Sequence, residues 1–208
     1  MITLIDYKAG NLTSVRLALE ALGAAAEITS DPERVRRAER VIFPGVGAAG
    51  AAMEQLRHFG LVEAIGEVID RGVPFLGICI GMQVLLENSE EDGGVAMLGR
   101  LPGRVCRFQP TDRFDKVPQI GWNQVDPERT HPLLAGIPAG SDFYFVHSYY
   151  PIPENPEDRW ATTEYAGVRF ASLLGRGNLA ATQFHPEKSG RCGLRLLHNF
   201  INWNGEER

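Results

Sequence analysis

At 208 residues, with 44% hydrophobic and 23% charged content, the chain suits one soluble globular domain with a sizeable core. A net charge of −5 and a pI near 5.6 speak against a nucleic-acid surface, and the cluster Arg34, Arg36, Arg37, Arg40, broken by Glu33 and Glu39, reads as a solvated helix face. Cys79, Cys106 and Cys192 are odd in number and show no Cys-x-x-Cys spacing, which speaks against a zinc site or disulfide framework and for a reducing compartment. No apolar run is long enough to span a membrane, and the N-terminus enters a strand at once instead of a signal peptide, so a cytoplasmic protein is expected.

The elements alternate in the first half. Ile2 to Asp6 reads as a buried strand; Leu12, Val15, Leu19 and Leu22 mark a helix that stops at Gly23. A second strand lies near Ala25 to Thr29, and Ser30-Asp31-Pro32 opens a short helix. Val41 to Phe43 is a third strand, ending at Pro44-Gly45-Val46-Gly47. Helical sequence from about Ala48 to Arg71 is broken at Gly60, and Pro74 to Ile78 is a fourth strand. The expected fold is α/β: an open, mostly parallel, flavodoxin-like sheet with helices on both faces. In the second half, Arg104–Phe108, Ile120–Val125, Phe143–Tyr149, Trp160–Tyr165, Arg169–Leu174 and Ala180–Phe184 read as strands separated by Gly/Pro/Asp turns, hence antiparallel additions. An amphipathic helix carrying Leu194, Leu197, Phe200 and Ile201 closes the chain. No linker divides residues 1–208 into two domains.

Chemistry concentrates where the fourth strand ends. Gly77-x-Cys79-x-Gly81, followed by a helix-like stretch from Met82 to Glu87, has the spacing of a nucleophile elbow with cysteine at its tip. The glycines leave room for a tight, strained turn, and the N–H groups and dipole of the following helix favour a thiolate. A structural cysteine in a buried strand is the competing reading. A cysteine nucleophile needs a base. Of the five histidines, His58 and His198 fall in helices and His131 in a Pro-flanked loop, while His147 and His185 come near strand ends. Pro186 biases His185 toward extended backbone, where Glu187, two residues on, shares its side and can fix its tautomer. The N–H of Ile80 and the Gly45-Val46-Gly47 loop are candidate oxyanion donors. That loop lacks the Gly-Lys-Ser/Thr ending of a P-loop and the dinucleotide fingerprint. Asp6, Pro44 to Gly47 and Cys79 all fall at strand carboxyl ends, where open parallel sheets bind ligands.

Gly77-Ile-Cys79-Ile-Gly-Met-Gln83 and Phe184-His185-Pro-Glu187-Lys-Ser189 resemble the class I (triad) glutamine amidotransferases. More narrowly, Asp6-Tyr-Lys-Ala-Gly-Asn-Leu12, Pro44–Gly47, Val117-Pro-Gln-Ile-Gly-Trp-Asn123 and His147-Ser-Tyr-Tyr150 are similar to the glutaminase subunits of imidazole glycerol phosphate synthases, from end to end. The resemblance implies a catalytic triad of Cys79, His185 and Glu187, with Cys79 attacking the side-chain amide of glutamine. It also implies a glutamine site formed by the Gln83 side chain and the backbone around Val46, Gly47, Ile80, Ser148 and Tyr149, with no cofactor and no metal. The glutaminase domain uses up the chain, so ammonia is expected to serve a (βα)8-barrel cyclase subunit in a heterodimer of histidine biosynthesis, with Asn11, Trp122 and Lys188 at the interface. Lys8 departs from the glycine expected in the first motif, which bears on loop shape or partner contact.

Other readings stay open on these residues. The acceptor could be one for anthranilate, guanylate or vitamin B6 synthesis; a stand-alone Cys-His hydrolase would need no partner; a binding subunit would keep Cys79 only for packing. Val46 carries a separate expectation. If completing the oxyanion hole requires a peptide turn, a β-branched residue resists positive φ, by about 1–3 kcal/mol, and the isolated subunit would rest incomplete. The competing reading has Val46 simply packed against the neighbouring strand.

Overall fold

Buried apolar runs alternating with amphipathic helices build the first half of the computed structural model, which describes residues 1–8 and 11–206. In order come β1 (Ile2–Ile5), α1 (Leu12–Ala21), β2 (Ala26–Thr29), α2 (Pro32–Arg36), β3 (Val41–Gly45), α3 (Ala49–His58), α4 (Leu61–Asp70) and β4 (Phe75–Cys79). Local chemistry sets the boundaries. The Asp31 side chain accepts from Glu33 N ahead of Pro32, capping α2. Gly60, at φ 65°, takes the left-handed turn that separates α3 from α4. The second half contains α5 (Ile80–Gln83), β5 (Asn88–Ser89), β6 (Val95–Ala96), β7 (Gly103–Arg107), β8 (Gln119–Pro127), β9 (Ser141–His147), β10 (Tyr149–Pro153), β11 (Arg159–Tyr165), β12 (Val168–Arg176), β13 (Leu179–Thr182) and α6 (Gly190–Asn202).

The main sheet runs β2-β1-β3-β4-β13-β12-β11-β8-β9. Its pairings are parallel from β2 to β13 and antiparallel from there on, as the sequence leads one to expect. Right-handed crossovers place α1, which leads outward to β2, on one face, and the helices leading back through β3 to β4 on the other. Packing agrees: α1 meets α6, while α2 and α3 pack on α4. Among the described residues, no helix is long and apolar enough to cross a membrane.

Two elements differ from the sequence reading. The helix after Cys79 covers Ile80–Gln83 and does not reach Glu87. It stops because the next amides turn elsewhere: Leu85 N and Leu86 N bond the i−3 carbonyls of Met82 and Gln83, and Glu87 N bonds Gly103 O. A one-turn helix supplies local N–H groups but little macrodipole. The segment Phe143–Tyr149 is two strands, because the chain changes sheet at Ser148: β9 closes the main sheet, and β10 enters a small sheet ordered β10-β7-β5-β6. The two sheets are joined through Phe108, whose ring lies 5.2 Å from that of His147, 4.7 Å from Tyr150 and 5.6 Å from Phe170. The short strands β5 and β6 carry no alternating pattern long enough to be read in advance.

In the first motif, Ala9 and Gly10 lie outside the described residues. Lys8 has φ 65°, the left-handed conformation that glycine adopts most easily, so the expected glycine has a conformational basis. Asp6 holds the lysine in it, accepting from Lys8 N at 2.7 Å and from Lys8 Nζ at 2.9 Å.

Candidate active site

Strand register gathers the site. Gly45 of β3 stands opposite Cys79 of β4, and Ile78 of β4 stands opposite Thr182 of β13, so the loop after β3, the elbow after β4 and Gln183 to His185 emerge at one sheet edge. Cys79 is 4% exposed and sits at φ 56°, ψ −110°, a backbone conformation sparsely populated by side-chain-bearing residues. The elbow closes because its glycines lack Cβ. A Cβ on Gly81 would lie 1.8 Å from Phe43 O, and one on Gly77 would lie 2.6 Å from Gly81 O.

His185 Nδ1 lies 2.8 Å from Glu187 Oε1, with the two side chains 2% and 1% exposed. The route differs from the sequence reading. His185 is extended, but Pro186–Lys188 forms a single 3-10 turn, and it is this turn that swings Glu187 back under the ring. His185 N donates to Tyr144 O at 2.9 Å, and Ser189 Oγ donates to His185 O at 2.6 Å, fixing the histidine backbone on both sides. Burial pulls the His185 imidazole toward neutrality, but hydrogen bonding and charge from Cys79 and Glu187 outweigh it and raise its pKa from 6.5 to about 10. Among the described residues, Nε2 is buried with no closed hydrogen bond, as catalytic groups in unliganded sites often are. These contacts favour the protonated imidazole at His185.

The candidate oxyanion donors flank the sulfur. Ile80 is the first residue of α5, so its N–H is not consumed by the helix. Gly47 has φ 97°, whereas Val46 is not among the positive-φ residues. Val46 is 37% exposed, beside the Gly45 backbone that pairs with β4. Tyr7, which the sequence did not single out, is fully buried, with its ring edge-on to Phe43 at 5.4 Å. Its hydroxyl lies where a Gly45 Cβ would be, 2.4 Å from that position. Burial first, then the charge of Cys79, push the Tyr7 phenol upward, opposed by the backbone N–H of Val46.

The expected glutamine-binding residues are brought together as well. Gln83 is 2% exposed; its Nε2 donates to Tyr149 O at 3.1 Å and to Gln183 Oε1 at 2.9 Å, while its Oε1 is buried with no partner among the described residues. Ser148 O accepts from Phe108 N at 3.1 Å. Gln183, absent from the sequence reading of the site, and His147, noted there as a histidine near a strand end, join this group. Gln183 Nε2 donates to Cys79 Sγ at 3.7 Å, and His147 Nδ1 lies 2.7 Å from Tyr149 O. Trp122, 58% exposed on β8, stands edge-on to Tyr144 at 6.1 Å, and Lys188 Nζ lies 5.8 Å over the same ring. Asn11 Oδ1 accepts from Ser14 Oγ at 2.8 Å, and Ser14 and Glu187 line one cavity of about 350 Å³ between α1 and the start of α6. No group of three or more His, Cys, Asp or Glu able to hold a metal occurs among the described residues.

The two buried histidines give opposite pH limbs. Burial first, against the Tyr149 hydrogen bond, lowers His147 from 6.5 to about 4, so its stabilisation is complete above 6.5 and is lost as pH falls through 4. His185 is raised, so its contribution is complete below 6.5 and is lost as pH rises through about 10. Denaturant unfolding across this range is expected to show both limbs. His147→Gln should flatten the acid one, and Cys79→Ala, by removing a charge that holds the His185 proton, should flatten the alkaline one.

Residues 3–203 match the family described as glutamine amidotransferase class-I. Curated relatives include the imidazole glycerol phosphate synthase subunit HisH of Moorella thermoacetica, 54% identical over 199 residues that cover 96% of this chain and 93% of that one. The subunit of the same name from Chloroflexus aurantiacus is 50% identical over 207 residues, 98% of this chain and 96% of its own. Among solved structures, PurLQS from Thermotoga maritima superposes with a TM-score of 0.74 at 17% identity, covering 97% of each chain. A further crystal structure, of a glutamine amidotransferase, gives 0.73 at 20% identity, covering 99% of this chain and 100% of the other. On a match spanning nearly its whole length, the chain belongs to the class-I glutamine amidotransferase family.

Proposed function

We propose that this chain, as one amidotransferase domain, is the glutaminase subunit of an imidazole glycerol phosphate synthase, releasing ammonia from glutamine for histidine biosynthesis. The observation that carries the chemistry is the 2.8 Å contact of His185 with Glu187 beside a cysteine held in a strained elbow. Cys79 Sγ adds to the glutamine side-chain carbonyl, and the Ile80 N–H with the Gly45-Val46-Gly47 loop receives the oxyanion. Collapse breaks the C–N bond. His185 gives its proton to the departing nitrogen, which leaves as ammonia, and a γ-glutamyl thioester remains on Cys79. Water, deprotonated by His185, then cleaves the thioester to glutamate and restores the thiolate. Glu187 holds Nδ1 so that Nε2 faces the reaction. The buried, unpartnered Gln83 Oε1 is suited to a donor group of the bound glutamine.

The partner in this reading is a (βα)8-barrel cyclase, docked where Ile120 and Trp122 stand 64% and 58% exposed on one face of β8, with Lys188 and Asn11 near the triad edge. Large apolar side chains in water beside a site are the mark of an interface. The test is glutamate production from glutamine by the chain alone and with a cyclase subunit plus its nucleotide ligand. A large rise requiring both supports the reading. Turnover indifferent to the cyclase sends the ammonia to another acceptor, and no turnover in either case removes the glutaminase.

Val46 offers a separate check on gating. With Val46 exposed and at ordinary φ, turning its peptide toward the substrate costs about 1–3 kcal/mol that glycine would not incur. Val46→Gly is therefore expected to raise glutamine hydrolysis by the subunit alone about 5- to 150-fold. Unchanged basal turnover, with Cys79 still reactive, removes strain at Val46 as the brake.

A further inference from the structure

We propose that Gln183 is a catalytic residue of this site: its amide N–H donates to the Cys79 sulfur, stabilising the thiolate, and Gln83 sets the orientation in which it does so. The inference rests on the reading of Cys79 as nucleophile and extends it to a residue in contact with the reacting atom.

Donor and acceptor logic fixes every orientation. The Tyr149 carbonyl can only accept, so Gln83 Nε2, 3.1 Å from it, is a donor, and so is His147 Nδ1 at 2.7 Å. Gln83 Nε2 has a second hydrogen and directs it to Gln183 at 2.9 Å, which requires Gln183 to turn Oε1 toward Gln83. A carboxamide that faces one way with oxygen faces the other with nitrogen. Gln183 Nε2 must then point at Cys79 Sγ, 3.7 Å away. A neutral thiol has an alternative, since its S–H can turn to Val146 O at 3.9 Å, but a thiolate can only accept. The Gln183 bond is thus stronger in the ionised state, and charge assistance roughly doubles it relative to a neutral pair.

Burial gives the contact its weight. Gln183 is 0% exposed, Gln83 2% and Cys79 4%, so no water competes for the sulfur from this side. Gln83 Oε1 is the buried acceptor left open in the chain of amides. A donor group of the substrate placed there polarises the Gln83 amide, and through it Gln183, which ties glutamine binding to thiolate stability.

The experiment is the pH dependence of iodoacetamide alkylation at Cys79, followed by peptide mass spectrometry so that Cys106 and Cys192 do not contribute. It needs neither glutamine turnover nor a partner. Gln183→Leu and Gln183→Met both remove the donor without adding a charge. Both are expected to move the profile to higher pH and to slow alkylation at neutral pH about 10-fold, and Gln183→Met is expected to lower kcat with KM little changed. Gln83→Met, which frees the Gln183 amide to rotate, is expected to move the profile the same way by less. Profiles that coincide with wild type in folded Gln183 variants overturn the proposal. Should neither variant fold, the Gln183 side-chain amide resonances of the unaltered protein decide. They are expected to shift as pH is stepped through the alkylation midpoint and to stay fixed in Cys79→Ala, and resonances that ignore the step overturn it as well. A Cys79→Ala protein that still hydrolyses glutamine would instead remove the underlying reading, a result distinct from either.

Discussion

Replacing Cys79 with glycine is expected to abolish glutamine hydrolysis while leaving the fold at least as stable as alanine leaves it at the same place. Any side chain there must accept φ 56°, ψ −110°, which costs about 1–3 kcal/mol. Glycine escapes that cost but adds about 0.5–1 kcal/mol of backbone entropy to lose on folding. Cys79→Gly should therefore match or exceed Cys79→Ala by up to about 2 kcal/mol in urea unfolding. Both lose the sulfur, and with it the thioester route, so glutamate release in the presence of cyclase and nucleotide should drop by about 10⁴-fold or more. The comparison separates two claims. Residual turnover near wild type in Cys79→Gly would falsify the nucleophile assignment, whereas alanine more stable than glycine would remove strain from the account of the elbow. Together they state that the fold gives up stability at Cys79 to hold the sulfur where the chemistry needs it.

What the sequence discloses and what it hides divide by the range of the interactions. The parallel strands are legible because each is a short apolar run closed by Gly or Pro, and Cys79, His185 and Glu187 are legible because their spacing is local. The length of α5 is not, since it depends on Glu87 N leaving the helix to bond Gly103 O, at the start of β7. The sheet change at Ser148 is hidden for a similar reason: β10 leaves β9 to pair with β7, a strand some forty residues earlier. Gln183 lay within reach. It stands two residues before His185 in the run Ala180–Phe184, and the two-residue period of a strand reading would have put both on one side, although β13 itself ends at Thr182. Tyr7 had no comparable signal, and His147 was visible only as a histidine near a strand end, because their contacts with Gly45, Gln119 and Tyr149 are made only by the folded sheet. Even the geometry of Glu187 was reached by a different path, a 3-10 turn in place of extended backbone.

Two glycine-to-alanine changes, in α4 and in the elbow, are expected to act with opposite sign. Gly66 lies inside α4, and an added Cβ there meets Arg100 Nη1 at 3.5 Å, an ordinary contact. Alanine at Gly66 should stabilise the chain by about 0.5–1 kcal/mol, through helix propensity and a less flexible unfolded state. Gly81 is the contrary case. Its added Cβ would stand 1.8 Å from Phe43 O, and backbone on both sides leaves no flexible side chain to yield. Either β3 must move away from the elbow or α5 must tilt off β4, and either shift pulls the Gly45 to Gly47 loop away from Cys79, because Gly45 and Cys79 are register partners. Overpacking of this kind costs about 1–3 kcal/mol, at the upper end where backbone must give. At about 2–4 °C per kcal/mol for a chain of this size, Gly81→Ala should lower Tm by roughly 6–12 °C. Activity should fall further than stability does, since a displacement of about 1 Å between nucleophile and oxyanion donors is enough to cost about 100-fold. Thermal unfolding and glutamate release measured on the same two variants decide it. A Gly81→Ala protein with wild-type turnover would mean that the elbow and the oxyanion loop are not mechanically joined, and the geometry assigned to this site would have to be rebuilt from β3 onward.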